Sequence, residues 1–177
     1  MYLSCTLVRI QDGDGPEKQY CLLVKECDMK LSVNTDIAAS REEVWKAITD
    51  IESSAEIMSG INEIKVLENP ADGLVGFKWE ETRTMFGQEA KEIMWITDVE
   101  EGKSYCVAAE NNGAKYYSHL EISDADDGVN LMMGFEGVPT TVAGKVMAFL
   151  TGFIFKGATE KALYQDLVDL KNYVEAK

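Results

Sequence analysis

The spacing of hydrophobic and polar positions changes period along this chain, and each change marks an element. In KLSVNTDIA, Val33, Thr35 and Ile37 alternate with polar residues, the period of a strand covered on one face. From Ser40 onward, Val44, Trp45, Ile48 and Ile51 recur at helical spacing. Ser40 and Glu43 stand three apart as a capping box, so the spacing predicts a helix starting at Arg41. ESSAEIMSG predicts a second, short helix closed by Gly60. The period then becomes two. Strands are predicted at 61–68, 73–85, 88–100, 103–111, 114–123 and 129–137, separated by the turn-forming NPADG, FG, EEG, NNG and DADDG. Connections this short join antiparallel neighbours, which makes a meander. After Pro139, Val142, Val146, Leu150 and Phe153, then Leu163, Leu167, Leu170 and Val174, follow at steps of three or four and predict one long helix to the C-terminus. Gly152 and Gly157 each cost a helix about 1 kcal/mol relative to alanine and mark a place for a kink.

One strand, two short helices, six strands and a long helix make an α+β order. An antiparallel sheet of this size curves, and its concave apolar face can be covered by one long helix. The first strand is expected at a sheet edge, and the two short helices at one end of the groove. Residues 1–28 stand apart from this scheme. There TLVRI and YCLLV flank QDGDGPEK, which reads either as a hairpin or as an extension upstream of a start at Met29. The remainder, 29–177, is expected to be one domain.

Composition narrows the partners. A formal charge of −14, spread along the chain, opposes binding to nucleic acid or to an anionic membrane. Cys5, Cys21, Cys27 and Cys106 lack the tight spacing of a zinc site or disulfide scaffold, which fits reduced thiols in the cytoplasm. The apolar run VMAFLTGFIF, 146–155, is well short of the roughly 18–20 residues that span a bilayer, so stable membrane insertion is not expected.

The stretches MKLSVNTDIAASREEVWKAITDIE and GFKWEETRTMFGQEAKEIMWITDVEEGKSY, followed by an apolar final helix, resemble the START-like SRPBCC superfamily in its polyketide cyclase/dehydrase and lipid-transport branch. The likeness spans about residues 29–175. It implies a helix-grip fold, in which a seven-stranded sheet wraps around the C-terminal helix and leaves a deep cavity. Members of the superfamily bind lipids, sterols, polyketides, quinones or hormones, and a minority catalyse cyclisation or hydrolysis in the cavity. Fold alone does not choose among these.

Candidate residues follow from strand parity. In 73–85 the odd positions Val75, Phe77 and Trp79 are apolar and are assigned to the cavity, which carries Glu81, Arg83 and Met85 inward with them. Glu81 and Arg83 either pair as a polar anchor for a ligand headgroup or lie solvated beyond a bulge, and the solvated reading is preferred. Tyr105 and Tyr116 sit on neighbouring strands on faces assigned inward, where a hydroxyl can bond a ligand carbonyl or the protein's own backbone. Met133, Phe135, Val146, Leu150 and Phe153 complete the expected lining, and the methionines suit a guest of variable shape. Glu92 has apolar neighbours on both faces of its strand, so its direction stays open. His119 is expected on the outer face, without a sequence partner that would make it a general base. No metal-ligand spacing, phosphate-binding loop or G-x-S-x-G motif is present, and no cofactor is expected. Binding of a small hydrophobic ligand is the favoured function. A cyclase-like enzyme and a chaperone-regulator-like interaction protein are the alternatives.

Overall fold

A computed structural model of the chain describes residues 6–10, 18–22, 31–85, 87–111, 114–139 and 142–177. Side chains are described over 31–84, 87–111, 114–138 and 157–177. Near the N-terminus β1 (Thr6–Ile10) and β2 (Lys18–Leu22) pair antiparallel as a two-stranded sheet of their own. The main sheet contains β3 (Leu31–Ile37), β4 (Ile61–Glu68), β5 (Lys78–Met85), β6 (Gln88–Glu100), β7 (Ser104–Asn111), β8 (Ala114–Ala125) and β9 (Gly128–Pro139). Its spatial order is β3-β9-β8-β7-β6-β5-β4, antiparallel throughout. The expected meander is therefore present from β4 to β9, and β3 takes an edge.

This order explains the helices that follow the first strand. β3 and β4 are consecutive in sequence but occupy opposite edges, so the connection between them must cross one end of the sheet. The crossing is made by α1 (Arg41–Thr49), a 3₁₀ turn (Ile51–Ser53) and α2 (Ser54–Ile57). Ser40 caps α1 as its spacing predicts. Its hydroxyl accepts from the Glu43 amide at 3.3 Å, and the Glu43 carboxylate accepts from the Ser40 amide at 2.9 Å. Val44, Trp45, Ile48 and Ile51 are buried, so the apolar stripe seen in the sequence is the face that closes this end of the core.

The C-terminal helix α3 (Val142–Glu175) runs unbroken for 34 residues and completes the helix-grip fold. Leu167 and Leu170, at 0% and 1% exposure, and Val174 insert into the core formed by α1, α2 and the sheet. Burial of a leucine side chain contributes roughly 2–3 kcal/mol, enough to hold this half of α3 in place. Polar contacts fix its angle. The Asp169 carboxylate accepts from the Ser59 amide and hydroxyl, Glu175 accepts from the Ala38 amide, and Lys171 donates to the Asp36 carbonyl. Among the described residues no helix is long and apolar enough to cross a membrane.

Three expectations are corrected. The strand expected at 73–85 begins only at Lys78, because Gly73 and Gly76 adopt positive φ and fold the preceding residues into a turn. Val75, assigned to the cavity by parity, lies on that turn and is 54% exposed. The second helix is shorter than ESSAEIMSG suggests. It ends at Ile57, capped by Met58, whose amide bonds to the Ser54 carbonyl, and the chain turns into β4 through a bond from the Ile61 amide to the Met58 carbonyl.

Candidate functional site

The inner face of the main sheet changes character along its strands. At the end closed by α1 it is wholly apolar: Ile37, Ile96, Ile122, Val129 and Leu131 are all at most 3% exposed. Toward the other end, inward positions become polar or aromatic and only half-buried. On β6 the series runs Ile96, Met94, Glu92; on β8 it runs Ile122, Leu120, Ser118, Tyr116; on β9 it runs Leu131, Met133, Phe135. Glu92 is thus inward, which settles the parity that its apolar neighbours left open. Tyr116 and Phe135 stack with centroids 5.8 Å apart and planes inclined by 20°. Beside them Gly137, paired with Tyr116 across the sheet, presents no side chain to the ring.

Glu81 and Arg83 follow the inward parity. The β5–β6 register is continuous from Lys78↔Trp95 to Met85↔Gln88, so the bulge that would have left the two charges solvated is absent. Glu81 is 9% exposed, and its carboxylate accepts from the Trp79 indole at 3.3 Å and from the Arg83 Nε. The Arg83 guanidinium continues to α3, where its Nη2 donates to Asp166 Oδ2 at 2.6 Å. Asp166 is 2% exposed, and its Oδ1 has no hydrogen-bond partner among the described residues. It lies against Gly60, where a Cβ would sit 3.3 Å from that oxygen. The missing side chain at Gly60 lets the helix carboxylate approach the start of β4.

Three inward carboxylates, Glu81, Glu92 and Asp166, therefore gather around one guanidinium. Glu81 and Glu92 are direct cross-strand partners, a like-charge pairing that a sheet ordinarily avoids. The titration of the neighbouring groups responds. Burial, reinforced by the Glu81 charge, raises the Glu92 pKa above its ordinary value, against a hydrogen bond to Asn111 and the field of Arg83. Burial likewise raises Asp166, with Arg83 opposing. For Arg83, burial works against the charge, but Glu81 and Asp166 outweigh it and hold the guanidinium ionised. The Tyr116 hydroxyl is raised by burial and then by Glu92. Perturbed groups converging on a partly covered concave face are what a site that binds or protonates a guest requires.

The other expected lining residues divide. Phe77 and Trp79 are buried, their rings 6.0 Å apart, and Met133 is buried on β9, next to the edge strand β3. Tyr105 is buried too, but its hydroxyl donates to the Ile48 carbonyl at 2.8 Å and is engaged by the protein itself. Val146, Leu150 and Phe153 lie on the part of α3 whose side chains fall outside the description, as does the side chain of Met85. A groove of about 480 Å³ opens at the other end of the sheet beside Asp36, Asp126, Asp127, Lys171 and Glu175; it shares none of these residues. Among the described residues no cluster of His, Cys, Asp or Glu could hold a metal ion.

Asp166 was not singled out from sequence, although a signal exists. It occupies the apolar stripe of α3, three residues after Leu163 and four before Leu170, where a charge needs a partner.

Comparison with known proteins decides the family. A model described as polyketide cyclase/dehydrase and lipid transport matches residues 28–175. The chain belongs to this family. No curated protein sequence matches it. Solved structures share the fold of this chain at low identity. A protein from Thermus thermophilus is 13% identical with a TM-score of 0.69, over 82% of this chain and 97% of its own. A Streptomyces aromatase/cyclase is 13% identical with a TM-score of 0.68, over 82% and 92%. A START superfamily protein from Mycobacterium smegmatis is 16% identical with a TM-score of 0.63, over 82% and 97%.

Proposed function

We propose that this protein binds a small amphipathic molecule between the inner face of its sheet and the N-terminal half of α3. The guest's apolar body rests on Tyr116, Phe135 and Met133. Its polar end meets Arg83, Glu81 and Glu92. The observation that carries this reading is the graded inner face: one end is fully buried, while the other keeps half-buried aromatic and charged side chains directed inward. Such a gradient orients a molecule with one apolar and one polar end. The family description, which includes lipid transport, agrees with it. Purified protein is expected to take up an environment-sensitive apolar dye saturably, and a lipid or polyketide is expected to displace it. Absence of saturable uptake would sink the reading.

A cyclase-like reaction in the same place is the second reading. It is favoured by Glu92, an inward carboxyl with a raised pKa on the same face as Tyr116, whose hydroxyl feels its charge; such a carboxyl is suited to moving a proton. Glu92→Gln separates the two readings. Binding alone predicts retained dye uptake and no reaction in either protein, whereas catalysis predicts turnover of a polyketide substrate by the parent protein and its loss in the variant.

A further inference from the structure

On the outer face of the sheet, opposite the ligand side, the register brings Cys106 of β7 directly across from His119 of β8. The Cys106 Sγ stands 3.3 Å from His119 Nδ1, and His119 Nε2 stands 3.5 Å from Glu121 Oε2. The imidazole thus lies between a thiol and a carboxylate, one on each ring nitrogen. A carboxylate can only accept, so it favours the tautomer protonated at Nε2 and leaves the Nδ1 lone pair toward the thiol. This is the arrangement of nucleophile, base and orienting acid that activates a thiol. Gly134, the cross-strand partner of His119 on β9, places no side chain beside the ring.

We propose that Cys106 is a site of oxidative modification by a peroxide, with His119 as its proton acceptor and donor and Glu121 as the residue that orients the imidazole. The thiol proton passes to Nδ1, and the thiolate sulfur attacks one peroxide oxygen. An S–O bond forms as the O–O bond breaks, and the departing hydroxide takes the proton back from the imidazolium as water. Sulfur loses two electrons, and the peroxide gains them. The product is a sulfenic acid. The surroundings select the oxidant. Cys106 is half-buried, so a small molecule reaches it more readily than a macromolecule. Asp98 on β6 and Glu121 on β8 flank the pair, Glu136 on β9 and Glu110, Lys115 and Tyr117 lie further along this face, and Lys103, held by Glu100, feels the charge of Glu121. With a chain charge of −14, that surface disfavours anionic oxidants and anionic disulfides and admits a neutral peroxide.

The test is alkylation of the intact protein by neutral iodoacetamide, read by mass spectrometry of the Cys106 peptide, so that Cys5, Cys21 and Cys27 do not interfere. The folded parent is expected to react at neutral pH about tenfold faster than His119→Gln, the ratio that one unit of thiol acidity gives. Its rate should also rise at lower pH than the variant's, with Glu121→Gln in between. Hydrogen peroxide followed by dimedone should mark Cys106 in the parent and much less in His119→Gln. Equal rates and superimposed pH profiles in parent and His119→Gln would overturn the proposal. So would a parent Cys106 that reacts no faster than the same peptide in the urea-unfolded chain, a comparison that needs no variant to fold.

Discussion

At the residue scale, Tyr105 shows how one hydroxyl joins two layers. Its ring meets Trp45 of α1 edge-on at 6.2 Å, and its hydroxyl donates to the carbonyl of Ile48, in the last turn of that helix. A carbonyl there has no partner within the helix, so it needs one from outside. Tyr105→Phe keeps the ring and removes the donor, leaving a buried carbonyl unpaired. A loss of about 1–2 kcal/mol is expected from urea unfolding, with the far-ultraviolet circular dichroism unchanged. Tyr105 also marks the limit of what its strand pattern could tell. Alternation placed it inward correctly, but whether its hydroxyl served a guest or the backbone depended on a residue fifty-seven positions away. The same limit applies to Glu81 and Arg83, whose inward direction was legible while their third partner, Asp166, was hidden on a distant helix.

At the element scale the turns carry more than connection. Gly128 opens β9 with φ of +138°, and a Cβ there would fall 2.2 Å from the Ile37 carbonyl oxygen and 3.0 Å from the Ala39 amide. The β8–β9 turn is therefore pressed against the corner where β3 hands over to α1. Gly128→Ala combines a disfavoured backbone conformation with a clash against main chain that cannot swing aside. A loss of at least about 2 kcal/mol is expected, seen as a lowered midpoint in thermal or urea unfolding. By contrast, Gly73→Ala meets nothing within 4 Å and carries only the conformational part of the cost, which makes it the matched control. The elements themselves were legible because period and turn chemistry agree from 31 to 139. The exceptions were the extent of α2 and the start of β5. Apolar Val75 extends the alternation of Phe77 and Trp79, but Gly73 and Gly76 commit that segment to a turn.

For the whole molecule, the decisive feature is one cation shared between the sheet and the closing helix. Arg83 joins β5 to α3 through Glu81 and Asp166, and both carboxylates are almost fully buried. Arg83→Met has comparable length and no charge, so it strands two carboxylates in a poorly solvated interior. Breaking a buried pair in this way costs about 3 kcal/mol near neutral pH. The sign of its pH dependence follows from Asp166, whose pKa burial already raises while Arg83 restrains the rise. Without the guanidinium, the carboxyl is raised further. A group raised on folding favours the folded state below its unfolded value, and that advantage disappears as pH climbs through the folded value. The deficit of Arg83→Met should therefore be largest near pH 7 and shrink as the pH is lowered toward about 3, below the ordinary aspartate value of about 3.9, where both states bind the proton. Urea unfolding of parent and variant across that range measures it. A deficit that stays constant, or grows on acidification, would mean that Arg83 acts there through packing rather than charge. Dye uptake measured on the variant at the pH where it is fully folded then reports separately on the site. Unchanged affinity for a guest with a polar end would show that the guanidinium serves to clamp the helix to the sheet and not to receive a ligand.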